Sequence, residues 1–276
     1  MKWNEVELKN ELTAISKSLG LHITQAQLLL SQERFLARLL HIDSSICFVW
    51  KGGSLILRKY SKLEVPRFTT DIDLLVKGMP VDECDQIFLN AIKVNLHDGF
   101  KYSKISKTSM ERDTPYGGDR FEIKWSFFGR PNPQLLTIDV CAGDDVSDIA
   151  IPASDVFLIK DDVANLSIKI YPPEFIFAEK LETVVRFKTG NTRLKDFIDL
   201  WNLIKLGFDK NKIKAAIDRC FKRRGTNFRM ENIIEILSDK DYADELEIQK
   251  IKRFKNLKLP LTFEIFNEII GFLKTL

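Results

Sequence analysis

The stretch Lys51–Val76, KGGSLILRKYSKLEVPRFTTDIDLLV, restricts the fold more than any other part of the chain. It holds a glycine pair, a serine and two aspartates one residue apart. Its flanks read as strands, Ile46–Trp50 before the glycines and Ile72–Val76 at the end. Successive side chains on a strand point to opposite faces, so Asp71 and Asp73 share one face while Ile72 and Leu74 take the other. Two such carboxylates repel each other, which water relieves in part and a divalent cation relieves better. Gly52, Gly53 and Ser54 fall where a strand turns into a short helix starting near Ser54. Glycine lets the backbone approach a ligand closely, and the N–H groups of a helix start favour an anion such as phosphate. A phosphate cradle beside two carboxylates is equipment for metal-assisted phosphoryl transfer. A pair of aspartates that merely closes a surface loop is the plainer reading of the DxD alone, and the upstream strand and KGGS turn weigh against it.

Around this stretch the chain changes texture once. Residues 5–19 have Leu8, Leu12, Ile15 and Leu19 on one helical stripe, with Gly20 as the stop. A second helix is predicted from Thr24, capped through Thr24 and Gln27, to about Leu40. Asp43-Ser44-Ser45 reads as a turn, and 81–96 as a helix. Strands follow at Lys101–Lys107, Arg120–Phe128 and Leu135–Cys141, with a turn at Thr114–Asp119 and short strands at Val156–Ile159 and Leu166–Ile170. Arg120–Phe128 alternates, with Phe121, Ile123, Trp125 and Phe127 on one side and Glu122, Lys124 and Ser126 on the other. From Pro172-Pro173 onward only helices are predicted, near 173–188, 193–206, 209–222, 228–237, 243–254 and 262–274. The last carries Phe263, Phe266, Ile270 and Leu273 at helical spacing. The fold class expected is α+β in two lobes, a mixed-sheet lobe over 1–170 with N-terminal helices and an all-helical lobe over 171–276.

Composition excludes several classes. With 45% hydrophobic and 29% charged residues the chain is an ordinary globular one, and no run of about 18 apolar residues marks a membrane span. The polar start MKWNEVELKNEL lacks a signal-peptide core. The four cysteines, Cys47, Cys84, Cys141 and Cys220, form no CxxC, as in a reduced cytoplasmic protein. The histidines lack zinc-ligand spacing. A net charge of +3 is too small by itself to require a nucleic-acid partner.

Four further groups of residues bear on chemistry. Asp139 sits opposite Leu136, Ile138 and Val140 in its strand, where a third carboxylate would complete a metal site; a solvated strand aspartate is the alternative. Lys180, in EFIFAEKLETVVRF, aligns with Val184 and Phe187, so it either snorkels to water or serves a site. RLKDFIDLWNLIKL is apolar on two sides, so Asp196 and Asp199 need a lysine, an arginine, a backbone donor or a metal as partner. Lys222, Arg223, Arg224 and Arg229 cluster around Gly225, a patch able to hold a nucleic-acid backbone or simply a solvated face.

Together these pieces resemble the nucleotidyltransferase toxins of the AbiEii/AbiGii type, MenT toxins included, within the DNA polymerase beta-like superfamily. FVWKGGSLIL is similar to their lysine-glycine-glycine opening and RFTTDIDLLV to their arginine-x-x-x-aspartate strand. AEKLETVVRF resembles their lysine-leucine helix motif and RLKDFIDL their lysine-aspartate-x-x-aspartate motif. The match runs in order from about residue 46 to 203. It implies catalytic roles for Asp71, Asp73, Lys180, Asp196 and Asp199, with the last three facing a cleft. It implies nucleotide binding by Lys51, Gly52, Gly53, Ser54, Arg67 and Lys180, and Mg²⁺ or Mn²⁺ held by Asp71, Asp73 and, from the superfamily pattern, Asp139. The reaction implied is transfer of a nucleotidyl group from an NTP to RNA, the tRNA acceptor end included, by a cytoplasmic toxin restrained by a cognate antitoxin, in a toxin–antitoxin or abortive-infection (phage-defence) setting. RNA would lie on Lys222, Arg223, Arg224 and Arg229. Sixteen residues separate Ser54 from Asp71, and the excess around KYSKLEVPR is expected as a longer loop over the substrate. Modification of a small molecule or a protein, transfer of a phosphoryl or pyrophosphoryl group to another acceptor, and a non-catalytic nucleotide- or RNA-binding module are the competing readings.

Overall fold

Asp71–Lys77 forms a strand because Ile72, Leu74, Leu75 and Val76 all find burial in one sheet, while its two aspartates stay half-exposed. The structure is a computed structural model that describes residues 3–42, 47–59, 65, 67–77, 80–110, 117–128, 132–141, 150–159 and 167–276. The turn expected at 43–45 lies outside the described residues, as do 60–64 and 66 of the loop expected around KYSKLEVPR and 114–116 of the turn expected at 114–119, whose Gly118 and Asp119 instead open a strand. The chain divides into two units, Met1–Ser61 with Phe68–Tyr171, and Lys62–Arg67 with Pro172–Leu276. Val65 and Arg67, expected with the sheet lobe, fall in the helical unit.

In the first unit the described elements are α1 (Glu5–Leu19), α2 (Ile23–Ile42), β1 (Cys47–Lys51), α3 (Gly52–Lys59), β2 (Asp71–Lys77), α4 (Cys84–Ala91), β3 (Phe100–Ser109), β4 (Gly118–Phe127), β5 (Gln134–Cys141), β6 (Ile151–Ala153) and β7 (Ile168–Ile170). The strands form a mixed sheet in the order β3-β4-β5-β2-β1-β7-β6, with β2 antiparallel to β1 and parallel to β5. One face carries Phe121, Ile123, Trp125, Ile138 and Ile72, all fully or almost fully buried. Phe88 of α4 meets Phe121 at a ring distance of 4.5 Å and Phe35 of α2 at 5.5 Å. The alternation in β2, β4 and β5 thus puts apolar residues toward helices and leaves the polar set on the other face.

Three local expectations are corrected. α2 starts at Ile23, and the capping contact is His22 N–H to the Gln25 side chain at 2.8 Å, not one between Thr24 and Gln27. The helix predicted over 81–96 is a 3₁₀ turn, Val81–Glu83, followed by α4, which stops at Ala91 in turns through Val94. The Val94 carbonyl is taken by Arg38 of α2 at 3.1 Å. Val156–Ile159 is not a strand, because the N–H groups of Leu158 and Ile159 donate to the buried carboxylate of Glu33 and not to a sheet neighbour.

The second unit comprises α5 (Pro173–Phe187), α6 (Leu194–Ile204), α7 (Lys210–Arg224), α8 (Met230–Ser238), α9 (Lys240–Arg253) and α10 (Thr262–Leu273). Pro173 opens α5, where its missing N–H costs nothing. α6 is buried along most of its length, from Asp196 to Leu203. Phe197 packs on Phe266 of α10 at 4.8 Å, and Tyr242 of α9 closes the same cluster. Phe266, Ile270 and Leu273 are core residues of α10, whereas Phe263 is 40% exposed and Ile265 and Ile269 complete the buried stripe.

Candidate active site

The polar face of the sheet organises the first unit's chemistry. Register pairs Lys51 with Asp73 across β1–β2, Asp73 with Asp139 across β2–β5, and Asp139 with Arg120 across β5–β4. Register partners share a face, so a row of four charges, positive–negative–negative–positive, crosses four adjacent strands. Asp71 lies two residues along β2 on the same face and accepts from Thr70 Oγ1 at 2.6 Å. The outer cations offset the repulsion that two neighbouring aspartates would otherwise suffer.

Gly52 ties the turn to this row. Its φ is +74°, and a Cβ built there would lie 1.9 Å from Asp73 Oδ2. Only glycine allows the start of α3 to press against the Asp73 carboxylate. α3 is fixed from behind by Arg58, whose fully buried guanidinium meets Glu33 of α2 at 3.3 Å and donates to the Leu29 carbonyl. Burial lowers the Arg58 pKa to about 10 although Glu33 opposes this, and burial raises that of Glu33 against the pull of Arg58 and Arg34. Ser54 is fully buried, its hydroxyl accepting from the Trp50 indole N–H at 2.9 Å. The side chain is therefore used inside the lobe, and what the turn offers a phosphate is the N–H groups of the first helical turn, which lack intrahelical acceptors.

Asp71 and Asp73 fit a divalent cation of the hard, oxygen-preferring kind. Both are half-exposed carboxylates on one face, and a Mg²⁺-like ion commonly takes one or two carboxylates and fills its remaining positions with water and substrate phosphates. Asp139 does lie beside Asp73 by register, and its carboxylate is also clasped by Arg120, whose Nε and Nη2 reach its two oxygens at 2.7 and 2.8 Å. Among the described residues no three carboxylate, imidazole or thiol side chains converge into a metal-holding group. Arg120 escaped the sequence reading, which placed it at the start of an alternating strand without a partner. Its only signal there was a position on the side opposite Phe121.

In the second unit the structure brings together Lys180, Asp196, Asp199 and Arg67, four residues from three separate motifs. Lys180 of α5 sits 3.0 Å from Asp196 Oδ1 and 2.8 Å from Asp199 Oδ2. Arg67 clasps Asp199 with Nε at 3.0 Å and Nη2 at 2.7 Å. Arg193 approaches Asp196 at 3.0 Å from the solvent side. Burial pushes the Asp199 carboxyl up, but Arg67 and Lys180 outweigh it and hold it down at about 2. Lys180 behaves conversely: burial lowers its pKa, and Asp199 and Asp196 raise it further than that. Asn202, one turn beyond Asp199, anchors the same segment by pairing with both backbone groups of Val65, at 3.3 and 2.8 Å. That residue was missed; its position three after Asp199 on a doubly buried helix was the available signal. The KYSKLEVPR excess, where described, is thus fastened to α6 at Val65 and Arg67.

The basic cluster around Gly225 is split. Arg224 turns inward, donating to Glu182 at 2.8 Å and meeting Glu179 at 3.3 Å. Lys222 and Arg229 are exposed, and Arg223 is half-exposed. Arg224 is therefore an interior ion-pair residue, which corrects its assignment to a surface patch.

A mixed sheet with a carboxylate pair beside a glycine turn, and a helical unit with a lysine–aspartate cluster, define a nucleotidyltransferase. Residues 34–264 match the family described as nucleotidyl transferase AbiEii toxin, type IV toxin–antitoxin system, and the chain belongs to that family. It is accordingly a nucleotidyltransferase toxin, of a kind that uses an NTP and a divalent metal and is countered by an antitoxin. Its fold is similar to that of JHP933 from Helicobacter pylori, at 15% identity over 94% of this chain and 91% of that one, with a TM-score of 0.51. It is equally similar to the structure of a putative nucleotidyltransferase from H. pylori, at 15% identity over 92% of this chain and 93% of that one, with a TM-score of 0.53. No curated protein sequence matches it. Among the described residues no helix is long and apolar enough to cross a membrane.

Proposed function

We propose that the protein transfers a nucleotidyl group from an NTP to an RNA hydroxyl, the 3′ end of a tRNA being the acceptor, with Mg²⁺ or Mn²⁺ as the metal. The acceptor oxygen bonds to the α-phosphorus, the bond from that phosphorus to the bridging oxygen breaks, pyrophosphate leaves with the bonding pair, and the hydroxyl proton passes to solvent water. A bound divalent ion supplies charge neutralisation at the phosphates and a more acidic acceptor hydroxyl. Asp71 and Asp73 are the residues assigned to hold it. The first-turn N–H groups at Gly52, Gly53 and Ser54, with Lys51, are assigned to the phosphate tail. In the second unit Lys180, Asp196, Asp199 and Arg67 form a cluster of their own, to which the family resemblance assigns catalytic and nucleotide-binding roles. Lys180 and Arg67 are assigned to a nucleotide phosphate, which each would engage by exchanging an aspartate oxygen for a phosphate oxygen, since both are held by aspartates.

The observation that carries this reading is the contact between Gly52 and Asp73, which seats an anion-favouring helix start directly against a metal-type carboxylate. Support for RNA is the exposed pair Lys222 and Arg229, basic side chains able to meet a phosphate backbone. The test is incubation of the purified chain with radiolabelled NTPs, Mg²⁺ and total tRNA. Label should migrate with tRNA and vanish with Asp73→Ala at an unchanged circular-dichroism spectrum. Label confined to a non-RNA fraction would overturn the acceptor, and an unchanged rate in Asp73→Ala would overturn the site.

A further inference from the structure

Arg120 lies outside every motif that carries the family resemblance, yet it controls one member of the charged row. It is the register partner of Asp139 and clasps both carboxylate oxygens at 2.7 and 2.8 Å. The Asp139 side chain is 13% exposed and that of Arg120 43%. The carboxylate is therefore mostly inside, while the guanidinium can swing toward solvent without burying an unpaired charge. On its other side Asp139 neighbours Asp73, one of the two carboxylates assigned to the cation. A cation beside Asp73 and the guanidinium of Arg120 attract the same carboxylate from opposite sides.

We propose that Arg120 is a positioning residue that competes with the divalent cation for Asp139. It keeps the Asp139 carboxylate engaged until metal is bound, and it keeps the two-aspartate row stable without metal. The inference rests on the metal reading of Asp71 and Asp73 given above. The geometry explains why three aspartates on adjacent strands do not converge into one group: the third already has a bidentate partner. Metal binding then carries the cost of parting Asp139 from Arg120, so removing Arg120 tightens metal binding, the opposite of what loss of a merely structural residue does.

The experiment is titration of the full chain with Mn²⁺ in the absence of nucleotide, read by electron paramagnetic resonance of free Mn²⁺. A partly exposed ion pair sets the scale, so Arg120→Gln should tighten apparent Mn²⁺ affinity by roughly threefold to fivefold. Arg120→Lys keeps the charge and loses the fork, so it should tighten affinity by less. In an Asp139→Asn background Arg120→Gln should change nothing. Equal or weaker Mn²⁺ affinity in Arg120→Gln, with an unchanged melting temperature, overturns the proposal. If Arg120→Gln does not fold, an Arg120→Lys affinity no tighter than wild type overturns it equally. Mn²⁺ binding that survives Asp73→Asn undiminished would instead bring down the metal reading beneath it, a result distinct from either Arg120 outcome.

Discussion

Arg67 and Asp199 form a two-point ion pair in the interior of the helical unit, Nε to Oδ1 at 3.0 Å and Nη2 to Oδ2 at 2.7 Å, although 132 positions separate them in the chain. Each is less than a tenth exposed. A buried pair adds little net stability against an apolar substitute, but removing one partner strands the other's charge. Lys180 still pairs with Asp199, so Arg67→Met should destabilise the protein by about 3 kcal/mol, the low end for breaking such a pair. Urea unfolding checks this; a loss below about 1 kcal/mol would place the pair on a solvated surface.

Acid should find the same cluster. The Asp199 carboxyl sits at about 2 when folded against an ordinary 3.8. A depressed folded pKa means that the stabilisation is fully present above about pH 4 and disappears as pH falls through about 2, amounting to roughly 2 kcal/mol. Lys180, whose pKa is raised, has the opposite sign: its contribution holds at neutral pH and is lost as pH rises through its folded value. Urea midpoints measured from pH 5 to pH 2 should fall more steeply for wild type than for Asp199→Asn, which has no carboxylate left to titrate.

Gly52 gives a prediction that separates fold from site. Alanine there must adopt φ of +74°, at a cost of about 1–2 kcal/mol. Its Cβ would also fall 1.9 Å from Asp73 Oδ2, so the carboxylate has to move. A displacement near 1 Å in a catalytic group can cost on the order of a hundredfold in rate. Gly52→Ala should retain its fold and lose transferase activity by about that factor. The same substitution at Gly225, where nothing lies within 4 Å, should carry the backbone cost alone and leave the rate intact.

What could be read in the chain beforehand was whatever depends on local period. Asp71 and Asp73 share a face because strands alternate, and the six helices after Pro173 follow from their apolar spacing; both were legible. Arg120 was not, because its partner is set by the β4–β5 register, a pairing between strands that no local pattern specifies. Nor were Glu33 and Arg58. No sequence pattern singled them out, and they are buried because each satisfies the other and the backbone around it. Ser54 shows the limit from the other side: the motif position was legible, but its burial under Trp50 depends on how α3 seats on β1. The Lys180 cluster was half legible. Two aspartates on a doubly apolar helix announced a need for partners, and only the packing of α5, Val65 and Arg67 against α6 identified which ones.

The basic run after Phe221 can now be divided by experiment. Glu182 is fully buried and receives Arg224 at 2.8 Å and the Thr226 hydroxyl at 2.7 Å. Taking Arg224 away leaves that carboxylate short of its closest cation, so Arg224→Ala should cost roughly 3 kcal/mol of stability. Lys222 and Arg229 are exposed and their removal strands nothing, so alanine at either should leave the melting temperature within experimental scatter. If these two hold an RNA backbone, each substitution should weaken tRNA retention uniformly across tRNA sequences. Each should also lower the slope of log affinity against log salt by about 0.7–0.9, the share of one phosphate contact. Filter binding at several salt concentrations, run beside thermal melts, distinguishes the two classes. Unaltered tRNA affinity in the Lys222→Ala, Arg229→Ala double variant would remove the patch from the RNA path and leave Arg224 its purely structural role.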